Sequence, residues 1–435
     1  MRLKYIKINS DYLIFKKDEV FNFNLNENSI ENNIDQKFNV ITGSNGSGKT
    51  LLMSMFSNFF HNLDRFHERT KFNIEVFYEI KYFESIKKVT LLSKEGNYYV
   101  SIDGEFENAK ILPNIHSRPY NFKPIDGKLY NEKNETHFIH INTYLPKSIV
   151  LSTFSIHGEY PNNRHRRYRG TRLLNVYDIS NLYGTNHYGL PSITRGISRF
   201  LKLIYKDENL DFFDTLKSLG FTFNNYILIN HFSEPEWTHV DKSNFQELIN
   251  LSETGEAYLN DLEFIRNEKK IHFSNMSTGE KMLIYRILSI LSEVEDDSLV
   301  IIEEPEMHLD FSWNRQLISL FDSAFKSYNA HFIFITHNPY LINSLKKDQV
   351  LFLKNGTQQQ IQANTFQLSI DELFIEMFNE KFTLNISEQN VIEEISKTDS
   401  LEKIEKIYNS LGNSIYKYLA FQKIKNIKGD VEGKQ

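Results

Sequence analysis

No cysteine occurs among the 435 residues. Its absence excludes disulfides, thiolate zinc sites, iron–sulfur clusters and a cysteine nucleophile together. Proline is scarce at 9 residues, and three of them fall between 104 and 136, a stretch with little periodicity that reads as loop. No run approaches the roughly 18 consecutive apolar residues of a membrane span. The first twenty residues, MRLKYIKINSDYLIFKKDEV, are interrupted by charge and lack the apolar stretch of a secretory signal. A cytoplasmic protein with no membrane partner is therefore expected. Neither charge sign dominates: 50 Lys and Arg stand against 56 Asp and Glu, a net charge of -6. A generally basic nucleic-acid coat is excluded, while a local basic groove is not. Internal repeats and heptad runs of coiled-coil length are also missing. What is present, 40% hydrophobic residues and a mean hydropathy of -0.44, belongs to a chain that buries a core. At about 150 residues per domain the length allows two or three compact units.

Along the chain, residues 1–26 read as strands (RLKYIKI, DYLIF), and FNVIT at 38–42 is a short apolar run ending at a glycine-rich turn. Leu52, Met55, Phe56, Phe59, Phe60 and Leu63 then recur at helical spacing. Residues 71–103 read as antiparallel strands, followed after the loop by FIHIN and SIVLSTF. Helices are expected at 194–218 and 243–267, with the strand NYILINHF between them. The last third alternates: helix 279–294, strand 298–302, helix 310–327, strand 331–336, strand 349–353, then a helical pattern over 369–428. Strands alternating with helices predict an α/β fold with a largely parallel sheet.

Four motifs carry chemistry. Gly43-Ser44-Asn45-Gly46-Ser47-Gly48-Lys49-Thr50 matches the P-loop pattern at every fixed position, between a predicted strand and a predicted helix. Its glycines let consecutive backbone N–H groups converge on phosphate oxygens at a helix start. Lys49 places a charge on the β and γ phosphates, and the Thr50 hydroxyl can ligate magnesium. Leu299–Ile302 is an apolar strand that delivers Glu303 and Glu304 to its carboxyl end. In phosphoryl transfer to water Glu303 takes the metal role and Glu304 the base role. The alternative is an acidic turn after a core strand. Ser277-Thr278-Gly279-Glu280 opens an apolar helix, and it reads equally as a capping box or as an anion site at a helix terminus. His337 ends the strand FIFIT, where a local hydrogen-bonding role and a catalytic one are both open.

In this order GSNGSGKT, MSTGEK, LVIIEEPEMHLD and FITHNP resemble the ABC-type ATPase series of Walker A, signature, Walker B with its D-loop, and switch histidine, across residues 43–338. The wording EEPE.HL and FITHNPYLI is similar to the overcoming-lysogenization-defect class, which includes ATPase subunits of the PARIS and Septu anti-phage systems. The resemblance implies an ABC ATPase head with a mixed sheet, an antiparallel β-subdomain and a helical signature lobe. It places the ATPase domain at 1–365, an insert or helical lobe at about 158–295, and a helical tail at 366–435. It also implies a head-to-tail homodimer, with higher assembly open. Gly43 to Thr50, Glu303, Glu304 and His337 of one copy hold ATP and Mg2+, while Ser277 and Gly279 reach across from the other. Three positions depart from the family. Glu303 stands where aspartate is usual, Thr278 where glycine is common, and no glutamine lies between residues 37 and 245 to serve a Q-loop. Ser152, Thr153 or Ser155 is the expected substitute.

The 225 residues between Thr50 and Met276 exceed a compact transporter ATPase and lack long heptads. The reading that follows from the resemblance is a sensor or scaffold ATPase of an anti-phage system. A repair or recombination ATPase, and after it a transporter subunit, are the alternatives. No D-x-D pair or metal-spaced cluster follows the last strand, so a separately encoded effector, nuclease or toxin, and a phage-derived trigger are expected partners. Glu268-Lys269-Lys270 reads as a solvated face. The basic run with Arg164, Arg166, Arg167 and Arg169 is open to DNA, to an acidic protein, or to acids of its own fold. The stripe Leu401, Ile404, Tyr408, Leu411 and Ile415 is open to internal packing, assembly or effector seating.

Overall fold

The computed structural model describes residues 1–23, 37–65, 72–103, 106–111, 123–125, 128–130, 137–139, 144–153, 160, 174–178, 192–205, 211–230, 234–291, 293–370, 372–373, 377, 386–398, 400–412 and 415–432. The chain forms two compact units, Met1–Phe378 and Asn379–Gln435.

At the centre of the first unit is a seven-stranded sheet. Numbered along the chain, its order is β12 (Leu174–Asp178), β11 (Ile149–Thr153), β17 (Leu299–Glu303), β18 (His331–Ile335), β3 (Phe38–Gly43), β19 (Val350–Lys354) and β20 (Thr357–Gln359). All neighbours pair parallel except β19 with β20. Such strands are covered on both faces, and their sequences are accordingly mostly apolar: every residue of β3, β11, β17 and β18 is buried. Alternate side chains feed two cores. Phe38, Val40, Val300, Ile302, Phe332 and Phe334 enter one, while Ile41, Leu299, Ile301, Ile333 and Ile335 enter the other.

The second of these cores is shared with α1 (Lys49–Arg65) and a nine-stranded, mainly antiparallel sheet. That sheet runs β2 (Val20–Asn22), β1 (Arg2–Ile8), β4 (Ile74–Tyr82), β5 (Ser85–Lys94), β6 (Asn97–Ile102), β7 (Phe106–Ile111), β10 (His137–Ile139), β9 (Lys128–Tyr130) and β8 (Lys123–Ile125). Lying between two layers, α1 buries nearly its whole circumference, which is why Met53 and Ser57 are as inaccessible as Phe56 and Phe60. The first core is shared with α2 (Ser192–Tyr205), α3 (Asp211–Ser218), α4 (Phe245–Thr254), α5 (Thr278–Leu291), α6 (Phe311–Ala324) and α7 (Pro339–Ile342). A four-stranded antiparallel sheet also contributes: β14 (Pro235–His239), β13 (Thr222–Asn230), β15 (Tyr258–Arg266) and β16 (Lys269–His272). The expected mixed α/β architecture is present. Among the described residues no helix is long and apolar enough to cross a membrane.

Two local expectations are corrected. DYLIF is a tight turn rather than a strand: Tyr12 and Phe15 exchange backbone hydrogen bonds of 3.0 and 2.9 Å around Leu13 at φ 52°. The stretch 243–267 is helical only through Thr254. Gly255 takes a left-handed φ of 80°, its N–H capping the carbonyls of Leu251 and Ser252, and the chain then turns into β15. Glu268-Lys269-Lys270 is exposed, as expected of a solvated face, and lies in the β15–β16 hairpin with Asn267 and Glu268 at positive φ in its turn. In the second unit, helices Ile386–Lys397, Leu401–Ser410 and Ile415–Glu432 surround a small core. Ile404 is wholly buried there, with Leu401, Tyr408 and Leu411 packed against it. The side chain of Ile415 lies outside the described residues, as do Arg164, Arg166, Arg167 and Arg169.

Candidate functional site

Because β11, β17, β18 and β3 are parallel neighbours, their carboxyl ends fall on one edge of the sheet. Topology therefore gathers Thr153, Glu303 with Glu304, Thr336 with His337, and Gly43, whose registers align residue by residue. Backbone bonds lock this edge: Glu304 N–H donates to the Ile335 carbonyl at 2.9 Å, and Thr336 N–H to the Ile41 carbonyl at 3.1 Å. Ligand sites in open α/β sheets lie at this end.

Gly43, Gly46 and Gly48 have φ of 151°, 76° and 103°. At Gly43 a side chain is also barred by space, since a Cβ would come 2.1 Å from the Leu353 carbonyl oxygen. Ser44, Asn45, Gly46 and Thr50 are exposed, while Ser47 and Lys49 are buried. Lys49 Nζ donates to the carbonyls of Gly43 at 2.9 Å and Ser44 at 3.0 Å. The buried hydroxyl of Ser47 has no hydrogen-bond partner among the described residues. A wrapped loop with an inward cation and an unsatisfied inward hydroxyl fits a bound phosphate chain.

Burial lowers the Lys49 pKa to about 8, and the charge of Glu304 opposes that fall. Burial, the Glu306 charge and a Glu306 hydrogen bond raise Glu304 to about 7, opposed by Lys49. His337, exposed on one side, is lowered by desolvation and by Lys49. These mutual effects require the lysine, the glutamate and the histidine to share one neighbourhood, although they come from three distant parts of the sequence. Glu304 adopts φ 41°, a left-handed conformation disfavoured for its residue type and found disproportionately at functional sites.

Glu303 is buried, and its two oxygens accept from Thr153 Oγ1 at 2.5 Å and Tyr160 Oη at 2.6 Å. A carboxylate held by two hydroxyls is fixed in orientation, which suits a metal-directed acid, with the exposed Thr50 hydroxyl as its counterpart on the P-loop. Of the residues expected to replace the Q-loop glutamine, Thr153 touches Glu303. The Ser152 hydroxyl is buried with no hydrogen-bond partner among the described residues, and Ser155 lies outside them.

Ser277 and Glu280 form the capping box: Ser277 N–H donates to Glu280 Oε2 at 2.8 Å, and Glu280 N–H reaches Ser277 Oγ at 3.4 Å. Arg266 holds the other Glu280 oxygen. Ser277 and Thr278 are exposed. Gly279 packs so closely on the loop after Glu304 that a Cβ would come 2.3 Å from the His308 carbonyl oxygen. The segment thus sits beside the acid loop of its own chain, with the helix start open to solvent.

Sequence reasoning missed Glu306, Thr336, Tyr160 and Arg286. Glu306 accepts from the Thr336 hydroxyl, and Arg286 is wholly buried within reach of the charges of Glu306, Glu303 and Glu304. Two signals were available, the third glutamate of EEPE and the hydroxyl immediately before His337. Nothing in the sequence marks Tyr160.

Among solved structures, the chain resembles an SMC head domain from Thermotoga maritima at 14% identity, covering 82% of this chain and 97% of that one, with a TM-score of 0.39. It also resembles an SMC head bound to the C-terminal winged-helix domain of ScpA, at 11% identity over 86% and 100% of the two chains and a TM-score of 0.44. The protein named Retron Ec83 probable ATPase from Escherichia coli is 27% identical over 107 residues, which span 22% of this chain and 19% of that protein. Residues 38–343, from the P-loop strand through the histidine loop, match the family described as "AAA domain, putative AbiEii toxin, Type IV TA system", and the chain belongs to that family.

Proposed function

We propose that this protein binds and hydrolyses ATP with Mg2+ between two head-to-tail copies. In this role it is the sensor or scaffold subunit of an anti-phage system of the PARIS or Septu kind and controls a separately encoded effector. The observation that carries the ATPase reading is the meeting of Lys49, Glu304 and His337 at one sheet edge, where the Lys49 charge acts on both the glutamate and the histidine. The loop Gly43–Thr50 wraps the phosphates with backbone N–H groups, and Lys49 exchanges its two carbonyl partners for β and γ oxygens. Thr50 and Glu303 are the residues that would hold Mg2+, which neutralises charge developing on the phosphates. Glu304, whose raised pKa suits proton acceptance near neutrality, orients and deprotonates the attacking water. His337 faces the γ-phosphate end. Ser277, Thr278, Gly279 and Glu280 of the second copy offer hydroxyls, an N–H and a helix start to the same phosphate.

Lys49→Ala is expected to abolish ATP binding measured by calorimetry. Glu304→Gln is expected to bind ATP while phosphate release falls by about 10²-fold or more. Hydrolysis by Glu304→Gln at the wild-type rate would remove the base assignment.

The defence role is supported by the toxin–antitoxin description of the family and by the retron ATPase relative. Separation of sensor from effector predicts that the purified chain with ATP and Mg2+ leaves DNA and RNA intact. Degradation of either by the isolated chain would contradict it. DNA contact through Arg164, Arg166, Arg167 and Arg169 remains part of the proposal as one route of sensing, read out by the salt dependence of binding.

A further inference from the structure

Glu306 stands where three elements meet. Thr336, with no exposed surface, donates its hydroxyl to Glu306 Oε1 and accepts from Asn338 N–H at 2.8 Å. Its own N–H is pinned to Ile41 of β3 at 3.1 Å, so its position is set by the central sheet. Glu306 lies close enough to Glu304, two residues away along the loop, for its charge to help raise the Glu304 pKa. Between them Pro305 fixes one backbone torsion, and the loop is closed by Met307 N–H on the Glu304 carbonyl at 3.2 Å and Leu309 N–H on the Glu306 carbonyl at 3.0 Å. Glu306 Oε2 is buried with no hydrogen-bond partner among the described residues. A second carboxylate beside a base is costly to bury, and it persists only where surrounding groups hold it. The buried guanidinium of Arg286, on α5, lies near enough for the charges of Glu306, Glu303 and Glu304 to oppose the fall that burial imposes on its pKa.

We propose that Glu306, anchored by the Thr336 hydroxyl, is the positioning residue that fixes the Glu304 side chain at the end of β17 and couples it to the histidine loop. This role rests on the reading of Glu304 as the base in ATP hydrolysis. Among the described residues, neither the Glu306 nor the Thr336 side chain hydrogen-bonds to Gly43–Thr50, so the loss of either acts on turnover and not on nucleotide affinity. A base displaced by about 1 Å costs on the order of 10²-fold in rate.

The experiment uses the full chain and compares wild type, Thr336→Val, Thr336→Ser and Glu306→Gln in phosphate release with Mg2+ and ATP, alongside ATP binding by calorimetry and thermal unfolding. The inference expects Thr336→Val to lower kcat roughly ten- to hundred-fold, with KM and Kd within about twofold of wild type. Thr336→Ser, which keeps the hydroxyl, should return kcat to near the wild-type value, and Glu306→Gln should lower kcat without weakening ATP binding. Unchanged kcat in Thr336→Val, a parallel loss of ATP binding, or failure of Thr336→Ser to restore turnover would each overturn it. A wild-type protein that binds ATP but releases no phosphate would overturn the hydrolytic reading, an outcome distinct from all of these.

Discussion

Burial decides the chemistry of His331, a residue that plays no part in the site. Its Nδ1 accepts from Leu3 N–H at 3.1 Å, and its Nε2 lies 2.7 Å from Asn39 Oδ1, so a single neutral tautomer satisfies both contacts. Burial, and next the positive charges nearby, depress its pKa to about 3. Protonating Nδ1 would remove the acceptor for Leu3 and leave a buried charge. Because the folded pKa lies below the unfolded value of about 6.5, the unfolded chain takes up the proton first, and stability is lost as pH falls through 6.5 toward 3. The slope from this residue reaches at most about 1.4 kcal/mol per pH unit. Urea unfolding at pH 7 and pH 5 should show this loss, and His331→Gln should flatten it. At the site the same force acts on both partners of a pair. Burial lowers Lys49 and raises Glu304 toward each other, and their attraction limits both shifts.

At the scale of the element, α5 is held to the acid loop by a contact that only glycine permits. The Cβ of alanine at Gly279 would meet backbone oxygen, not a side chain that could turn away. Gly279→Ala should therefore displace the loop after Glu304. It should destabilise the protein by about 1–3 kcal/mol in chemical denaturation and reduce phosphate release with it. Unaltered stability and turnover would show that the loop moves freely. Five strands of the central sheet, β3, β11, β17, β18 and β19, were legible from their apolar runs, because burial on both faces leaves little room for polar residues, whereas the edge strands β12 and β20 were not. The failures were short or ambiguous segments. DYLIF alternates like a strand, but four of its residues close on themselves. In the stretch 243–267, the left-handed Gly255 is a stop that periodicity alone passes over.

In the whole molecule, the capping segment of α5 lies open while the P-loop and acids cluster on the sheet edge. In the proposed head-to-tail pair each copy would complete the phosphate site of the other, and ATP would favour the closed pair by its differential affinity for it. The Glu304→Gln protein, expected to retain ATP, should run at twice the monomer mass in light scattering with ATP and revert when nucleotide is removed. Monomer under both conditions would count against the shared site.

The sequence alone determined the phosphate loop, the strand–helix alternation and the identity of the acids. These depend on local requirements: glycines at positive φ, apolar runs buried on two faces, and carboxylates at strand ends. It could not determine that β18 lies between the strands of the P-loop and the acids. Nor could it reveal that Thr153 and Tyr160 hold the two oxygens of Glu303, or that Thr336 donates its hydroxyl to Glu306. Desolvation and charge coupling are set by neighbours in space, and only the folded sheet decides which distant residues those neighbours are.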